Sequence, residues 1–199
     1  MATCTLAASS LARRASLGKV SALGHLRFVS PYPQIELLRP RVEDAVSLAR
    51  YADDAAVFAG LRDYFPHPYS VDDALRFIDT VLAKDGKQTD WLIHVDGEAV
   101  GVMGLFIGED VYRRNAEIGY WIGRPHWGKG IMTHSINWTL DYAWRELDVD
   151  RVYAEVFSTN HGSLRVLEKC GFEVEYVLPN TVVKLGQRCD SICLGIRRP

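Results

Sequence analysis

Residues Trp127 to Met132 read WGKGIM, and the two glycines, Gly128 and Gly130, stand where a strand-like run, Glu117 to Ile122 (EIGYWI), gives way to a helical pattern. That pattern runs from Gly128 to Leu147, with Ile131, Trp138, Tyr142 and Leu147 recurring at broadly helical spacing. The first N–H groups of a helix have no partner within it, and the helix dipole adds positive potential there, so an anion is favoured. Glycine lets a phosphate approach the backbone without meeting a Cβ, and Lys129 supplies a cation beside it. An isolated GxG, however, also reads as an ordinary strand-to-helix turn.

Two nucleotide readings compete for the same stretch. Gly123 to Lys129 (GRPHWGK) fits G-x-x-x-x-G-K, but that phosphate loop needs Ser or Thr next to hold magnesium, and Gly130 stands there. A dinucleotide fold requires G-x-G-x-x-G after a parallel strand, which is missing, and the strands before Gly128 read as antiparallel.

Upstream, Trp91 to Val95 and Glu98 to Ile107 suit strands joined by an Asp96-Gly97 hairpin turn, and a third strand runs from about Arg114 to Ile122. Further back lie a strand at Ile35 to Arg39, a helix from near Val42, a helical stretch from Asp53 to about Leu61, and a helix from Val71 to Ala83 N-capped by Ser70. Between the last two, Phe65-Pro66-His67-Pro68-Tyr69 is either a rigid connector or the wall of a pocket. Downstream come a strand at Arg151 to Phe157, a helix from about His161 to Lys169 stopped by Gly171, and strands Phe172 to Lys184 and Gln187 to Ile196 meeting at Leu185-Gly186. The expected class is α+β, with one mixed, mostly antiparallel sheet of about six to seven strands flanked by helices.

A chain of 199 residues, 48% of them hydrophobic, buries one substantial core. Residues 1–33 carry Arg13, Arg14, Lys19 and Arg27 with no acid before Glu36, which reads either as a transit peptide or as a plain arm. Residues 34–199 form the expected domain. Over the whole chain the charge is mixed and nets −2, so no nucleic-acid stripe is expected, and no apolar run approaches the roughly 20 residues that span a bilayer, so no membrane partner is expected. A cytoplasmic location is expected, or a mitochondrial or plastid one if the arm is a targeting segment. Cys4, Cys170, Cys189 and Cys193 lack zinc spacing, and Cys189 and Cys193 fall on one strand face as core thiols. His94, His126 and His134 have no ligand partner at a recognised spacing, so no metal is expected.

Three segments together resemble the GCN5-related N-acetyltransferase (GNAT) superfamily, and its branch similar to the ribosomal-protein alanine acetyltransferases. They are Glu117 to Ile122, Trp127 to Thr133, and Asn160-His161-Gly162-Ser163 continuing through Leu167-Glu168-Lys169-Cys170-Gly171-Phe172. The resemblance covers Ile35 to about Arg197. It implies a GNAT fold with a splayed sheet, acetyl-coenzyme A as cosubstrate, no metal, and a primary amine as acceptor, either a protein N-terminus or a small molecule. A monomer or a homodimer is expected. The family loop pattern Q/R-x-x-G-x-G/A falls on Trp127, Gly128, Lys129, Gly130, Ile131 and Met132. Trp127 replaces the usual polar residue, and Met132 the usual small one.

The resemblance also assigns roles. An amine with a pKa of about 10.4 must lose a proton before it attacks a thioester. Glu117 is the implied base, acting directly or through water, with desolvation raising its affinity for the proton. Its bland alternative is an outward polar residue or a partner for Arg113 or Arg114. A backbone N–H near Ile122 would polarise the thioester. Many relatives use a tyrosine on the helix after the fifth strand to protonate the departing thiol, but Leu167 holds that place here, and Ser163 resembles the serine of the ribosomal-protein branch. Asn160 would meet the pantetheine arm, its alternative being an N-cap for the helix of Ser163. Tyr120, Tyr153 and Tyr176 are backup donors. A non-catalytic acetyl-coenzyme A binding module would keep the cradle without an active acceptor site.

Overall fold

Asp96 and Gly97 sit at φ 55° and 80°, the left-handed pair that a two-residue hairpin needs, and they turn β2 (Asp90–Val95) into β3 (Glu98–Ile107). A computed structural model of the chain describes residues 35–84 and 86–199. The arm at residues 1–33, with its targeting alternative, and Cys4 lie outside the described residues. Around the hairpin, β1 (Ile35–Leu38), β4 (Asn115–Ile122), β5 (Arg151–Phe157), β6 (Glu173–Lys184) and β7 (Gln187–Arg197) complete one sheet in the order β1-β2-β3-β4-β5-β7-β6. Every neighbouring pair is antiparallel except β4 and β5. The sequence reading of a mostly antiparallel α+β sheet of six to seven strands is correct. Leu185 and Gly186, at φ 50° and 77°, make the β6–β7 turn that the dipeptide indicated.

The sheet divides two layers of helix. On one face α1 (Ala45–Ala52) and α3 (Val71–Leu82), with the short α2 (Ala55–Ala59) between them in the chain, cover Leu92, Ala99, Val102 and Trp121, with Leu48, Ala74 and Ile78 buried between. Ser70 caps α3 as its sequence indicates, its Oγ accepting from Asp73 N at 3.2 Å while Asp73 returns a bond to Ser70 N at 2.8 Å. On the other face α4 (Ile131–Glu146) and α5 (His161–Lys169) close the main core. There Trp91 meets Trp138 and Tyr142 edge-on, at 5.3 and 5.0 Å between ring centroids. Cys170, Cys189 and Cys193 are buried, the last two as their pattern suggested.

One polar pair is buried with the core. His94 on β2 and Asp44 before α1 are 1% and 5% exposed, and Asp44 Oδ1 lies 2.9 Å from His94 Nε2. Burial pushes the Asp44 carboxyl up, but the His94 and Arg41 contacts outweigh it and hold the group below the ordinary carboxylate value. Asp44→Asn is therefore expected to destabilise the fold, on the order of 2 kcal/mol, in urea unfolding near neutral pH. A depressed carboxyl contributes above its unfolded value and loses that contribution as pH falls through the folded one, so the deficit should narrow on acidification. A deficit that stays constant down to the acid transition would refute this account.

Candidate functional site

The β4–β5 ladder is short. It pairs Asn115 with Arg151, Ala116 with Val152 and Glu117 with Tyr153, and then stops, although β4 continues to Ile122 and β5 to Phe157. The strands part beyond Glu117, leaving a gap in the middle of the sheet. Arg114 anchors the closed end by a fork to Asp150, with both contacts at 2.5 Å, and a further bond to Asp148. That commitment removes Arg114 as a partner for Glu117.

Pairing fixes which side chains share a face, because residues opposite one another in a ladder point the same way. Glu117 therefore shares the α1–α3 face with Phe106 across β3, with Tyr153, and with Glu155 two residues further along β5. Its partner is Arg62, on the turn after α2, whose Nη2 donates to Glu117 Oε1 at 2.7 Å and reaches Glu155 Oε2 at 3.4 Å. Sequence reasoning missed Arg62. It lies 55 residues from Glu117 and carries no motif, so only the packing of the α2 turn onto the sheet brings the two together. Burial pushes the Glu117 carboxyl up, Arg62 opposes that, and Glu155 adds to it, with a net rise.

Tyr120, three residues on, points to the opposite face and meets α5. Its phenol oxygen is 2.8 Å from Ser163 Oγ, and burial pushes the phenol well above its ordinary range. Ser163 and the backup donor Tyr120 thus form one hydrogen-bonded pair, whereas Tyr176 bonds Glu155 at 3.3 Å and Tyr153 lies under the Arg151 guanidinium. Leu167 is fully buried and turned into the core. Asn160 caps α5 through its side chain, with Oδ1 accepting from Ser163 N at 3.1 Å and Nδ2 directed at Gly60 O at 3.5 Å. This is the N-cap that the sequence offers as the alternative for Asn160. A Cβ on Gly60 would come within 2.7 Å of that amide nitrogen, so any other residue there would push the Asn160 amide aside.

The glycine loop lies just before the long helix rather than inside its first turn. Gly128 and Gly130 adopt φ 72° and 77°, and α4 begins at Ile131, three residues later than the spacing indicated, because left-handed glycines cannot continue a right-handed helix. A Cβ at either glycine would meet nothing within 4 Å, so the space above them is open. Trp127 to Gly130 are exposed, whereas the Ile131 and Met132 side chains are in the core. Met132 therefore takes no room at the loop, and these two residues offer only backbone N–H groups. The odd residue, Trp127, donates its indole N–H to the carbonyl of Ile122 at 2.7 Å, tying the loop to the end of β4. Lys129 lies close enough to His126 to help burial lower that imidazole's pKa, and His126 packs edge-on against Tyr51. Among the described residues no three acids, histidines or cysteines gather as metal ligands, and no helix is long and apolar enough to cross a membrane.

Comparison with known proteins agrees with this geometry. Residues 34–173 match the family model of the acetyltransferase (GNAT) domain. The "Probable N-acetyltransferase YjcK" of Bacillus subtilis (strain 168) is 38% identical over 104 residues, which cover 52% of this chain and 58% of that protein. The spermidine N(1)-acetyltransferase of Escherichia coli (strain K12) is 26% identical over 159 residues, 80% of this chain and 84% of that protein. Among solved structures, RimL, a ribosomal L7/L12 alpha-N-protein acetyltransferase in complex with coenzyme A, superposes with a TM-score of 0.73 at 20% identity, covering 85% of this chain and 96% of that one. The family match spans most of the chain, so the chain belongs to the GNAT acetyltransferase family.

Proposed function

We propose that this chain transfers an acetyl group from acetyl-coenzyme A directly to a primary amine. The observation that carries the reading is the gap beyond Glu117, which has a carboxylate on one face and the Tyr120–Ser163 pair on the other. The N–H groups of Gly128 to Met132 would hold the pyrophosphate, with Lys129 adding charge, and the pantetheine arm would enter the gap beside Asn160. The open space over Gly128 and Gly130 fits such a group. The amine would approach from the α1–α3 face, give its proton to Glu117, and attack a thioester polarised by backbone N–H near Ile122. Ser163, hydrogen-bonded to Tyr120, would donate a hydrogen bond to the leaving thiolate on the far face, and the nitrogen's second proton would complete the thiol. Base and donor then never compete for one proton, because the sheet lies between them.

Ser163→Ala tests the donor without disturbing the cap, since Asn160 binds the Ser163 backbone rather than its hydroxyl. Single-turnover rates should fall by about tenfold with melting temperature unchanged. An unchanged rate would leave Ser163 a packing residue. The experiment that tests the whole reading is free-thiol release from acetyl-coenzyme A with a panel of peptide N-termini, polyamines, amino sugars and simple alkylamines. Release with at least one acceptor supports the enzyme. Binding of acetyl-coenzyme A with no release across the panel would favour a binding module. The spermidine and ribosomal-protein enzymes among the comparisons make polyamines and protein N-termini the first acceptors to try.

A further inference from the structure

A single nitrogen of Arg62, Nη2, contacts both Glu117 and Glu155, at 2.7 and 3.4 Å, where β4 and β5 part. The Arg62 side chain is 46% exposed and stands on a turn, so this ion pair is held weakly and can open without unfolding anything. An acceptor amine must bring its nitrogen within hydrogen-bond reach of the base, and Nη2 already holds that position beside Glu117. An ammonium has the same charge and N–H donors in a smaller volume. Arg62 and Glu155 also line a cavity of about 260 Å³ with Asp63, Lys184, Val182 and Ser191, which gives the rest of an acceptor somewhere to lie.

We propose that Arg62 occupies the berth of the acceptor's ammonium in the free protein, and that the acceptor displaces it, with Glu155 holding the ammonium while Glu117 takes its proton. This rests on the acetyltransferase reading above. The ammonium N–H passes its proton to the Glu117 carboxylate, and the freed lone pair attacks the thioester carbon. A C–N bond forms, the C–S bond breaks, and the nitrogen's surplus proton goes to the thiolate, while Glu117 returns its own proton to solvent. Glu155 is thereby a specificity residue for cationic amines, and Arg62 a competitor that the substrate must evict.

The charged and titratable groups around Glu117 are Arg62 from the α2 turn and Tyr153 and Glu155 from β5, with Tyr176 of β6 bonded to Glu155. On β3 it pairs with the uncharged Phe106. Burial holds the Glu117 carboxyl up, Arg62 pulls it down, and Glu155 pushes it up. Removing Arg62 should thus raise it in the free protein, and neutralising Glu155 should lower it.

The test is the pH dependence of kcat and kcat/KM for Arg62→Met, Arg62→Lys and Glu155→Gln with the best amine of the panel. For Arg62→Met, KM should fall about fivefold. The acid limb of kcat/KM should move to higher pH while the limb of kcat stays put, because Arg62 has already left the complex. Glu155→Gln should raise KM severalfold and move the kcat/KM limb down, and Arg62→Lys should restore the wild-type profile. A raised KM for Arg62→Met would show that Arg62 binds the acceptor, and equal movement of both limbs would show that it stays on Glu117 through turnover. Either result overturns the proposal while leaving the enzyme intact. Failure of the wild-type protein to release thiol with any amine removes the acetyltransferase reading and this proposal with it.

Discussion

Glu117→Gln is expected to lower kcat by about a hundredfold to a thousandfold while the Kd for acetyl-coenzyme A stays within about twofold of wild type. The amide keeps the size of the side chain and an oxygen to accept from Arg62, so the packing around it should be unchanged. What it loses is the capacity to take a proton. Partial burial makes the wild-type carboxyl a better base than a free glutamate, and the same burial makes any replacement without a titrating group costly to the reaction. The cradle lies beyond the other end of β4, in the loop tied to Ile122 by Trp127, and should not sense the change. Equal losses in kcat and cofactor affinity would show that Glu117 holds the sheet together instead. Isothermal titration beside steady-state kinetics separates the two outcomes.

Gly130→Val should raise the Kd for acetyl-coenzyme A by tenfold or more. Gly130 sits at φ 77°, where a β-branched residue is strained by roughly 1–2 kcal/mol, and it is the residue from which α4 begins. Because a Cβ there meets no atom of the protein within 4 Å, the harm should come from two sources only. The loop would tend to leave the left-handed conformation, turning its N–H groups away, and the added methyl groups would occupy space above them. Gly97→Val is the control, since Gly97 has a similar φ of 80° and a similarly open Cβ position but belongs to the β2–β3 hairpin. Both variants should lose melting temperature by a few degrees. Only Gly130→Val should lose affinity. Similar Kd values for the two would mean that the WGKG loop is a turn and not a cradle.

The elements that the sequence announced best are those whose signals are local. Ser70 and Asp73 form their capping box within four residues, Asp96-Gly97 and Leu185-Gly186 take the conformations their hairpins need, and the limits of β5 and α5 agree with the reading to the residue. The start of α4 was read three residues early, because a glycine's freedom at positive φ shows in the sequence only as permission. Trp127 looked like a departure from a family pattern, and the structure gives it a partner in the Ile122 carbonyl.

By itself, then, the sequence determined the sheet-and-helix plan, the glycine loop, and the candidacy of Glu117, Ser163 and Asn160. These follow from short-range periodicity, capping and turn chemistry, and from motifs whose members lie close together in the chain. Only the tertiary structure decided what each candidate touches: Arg62 and Glu155 at Glu117, Tyr120 at Ser163, Gly60 at Asn160. Those contacts join residues 43 to 100 positions apart and depend on where β4 and β5 part and how the α2 turn folds over them. No local pattern encodes such a meeting, because it is set by the packing of whole elements against one another.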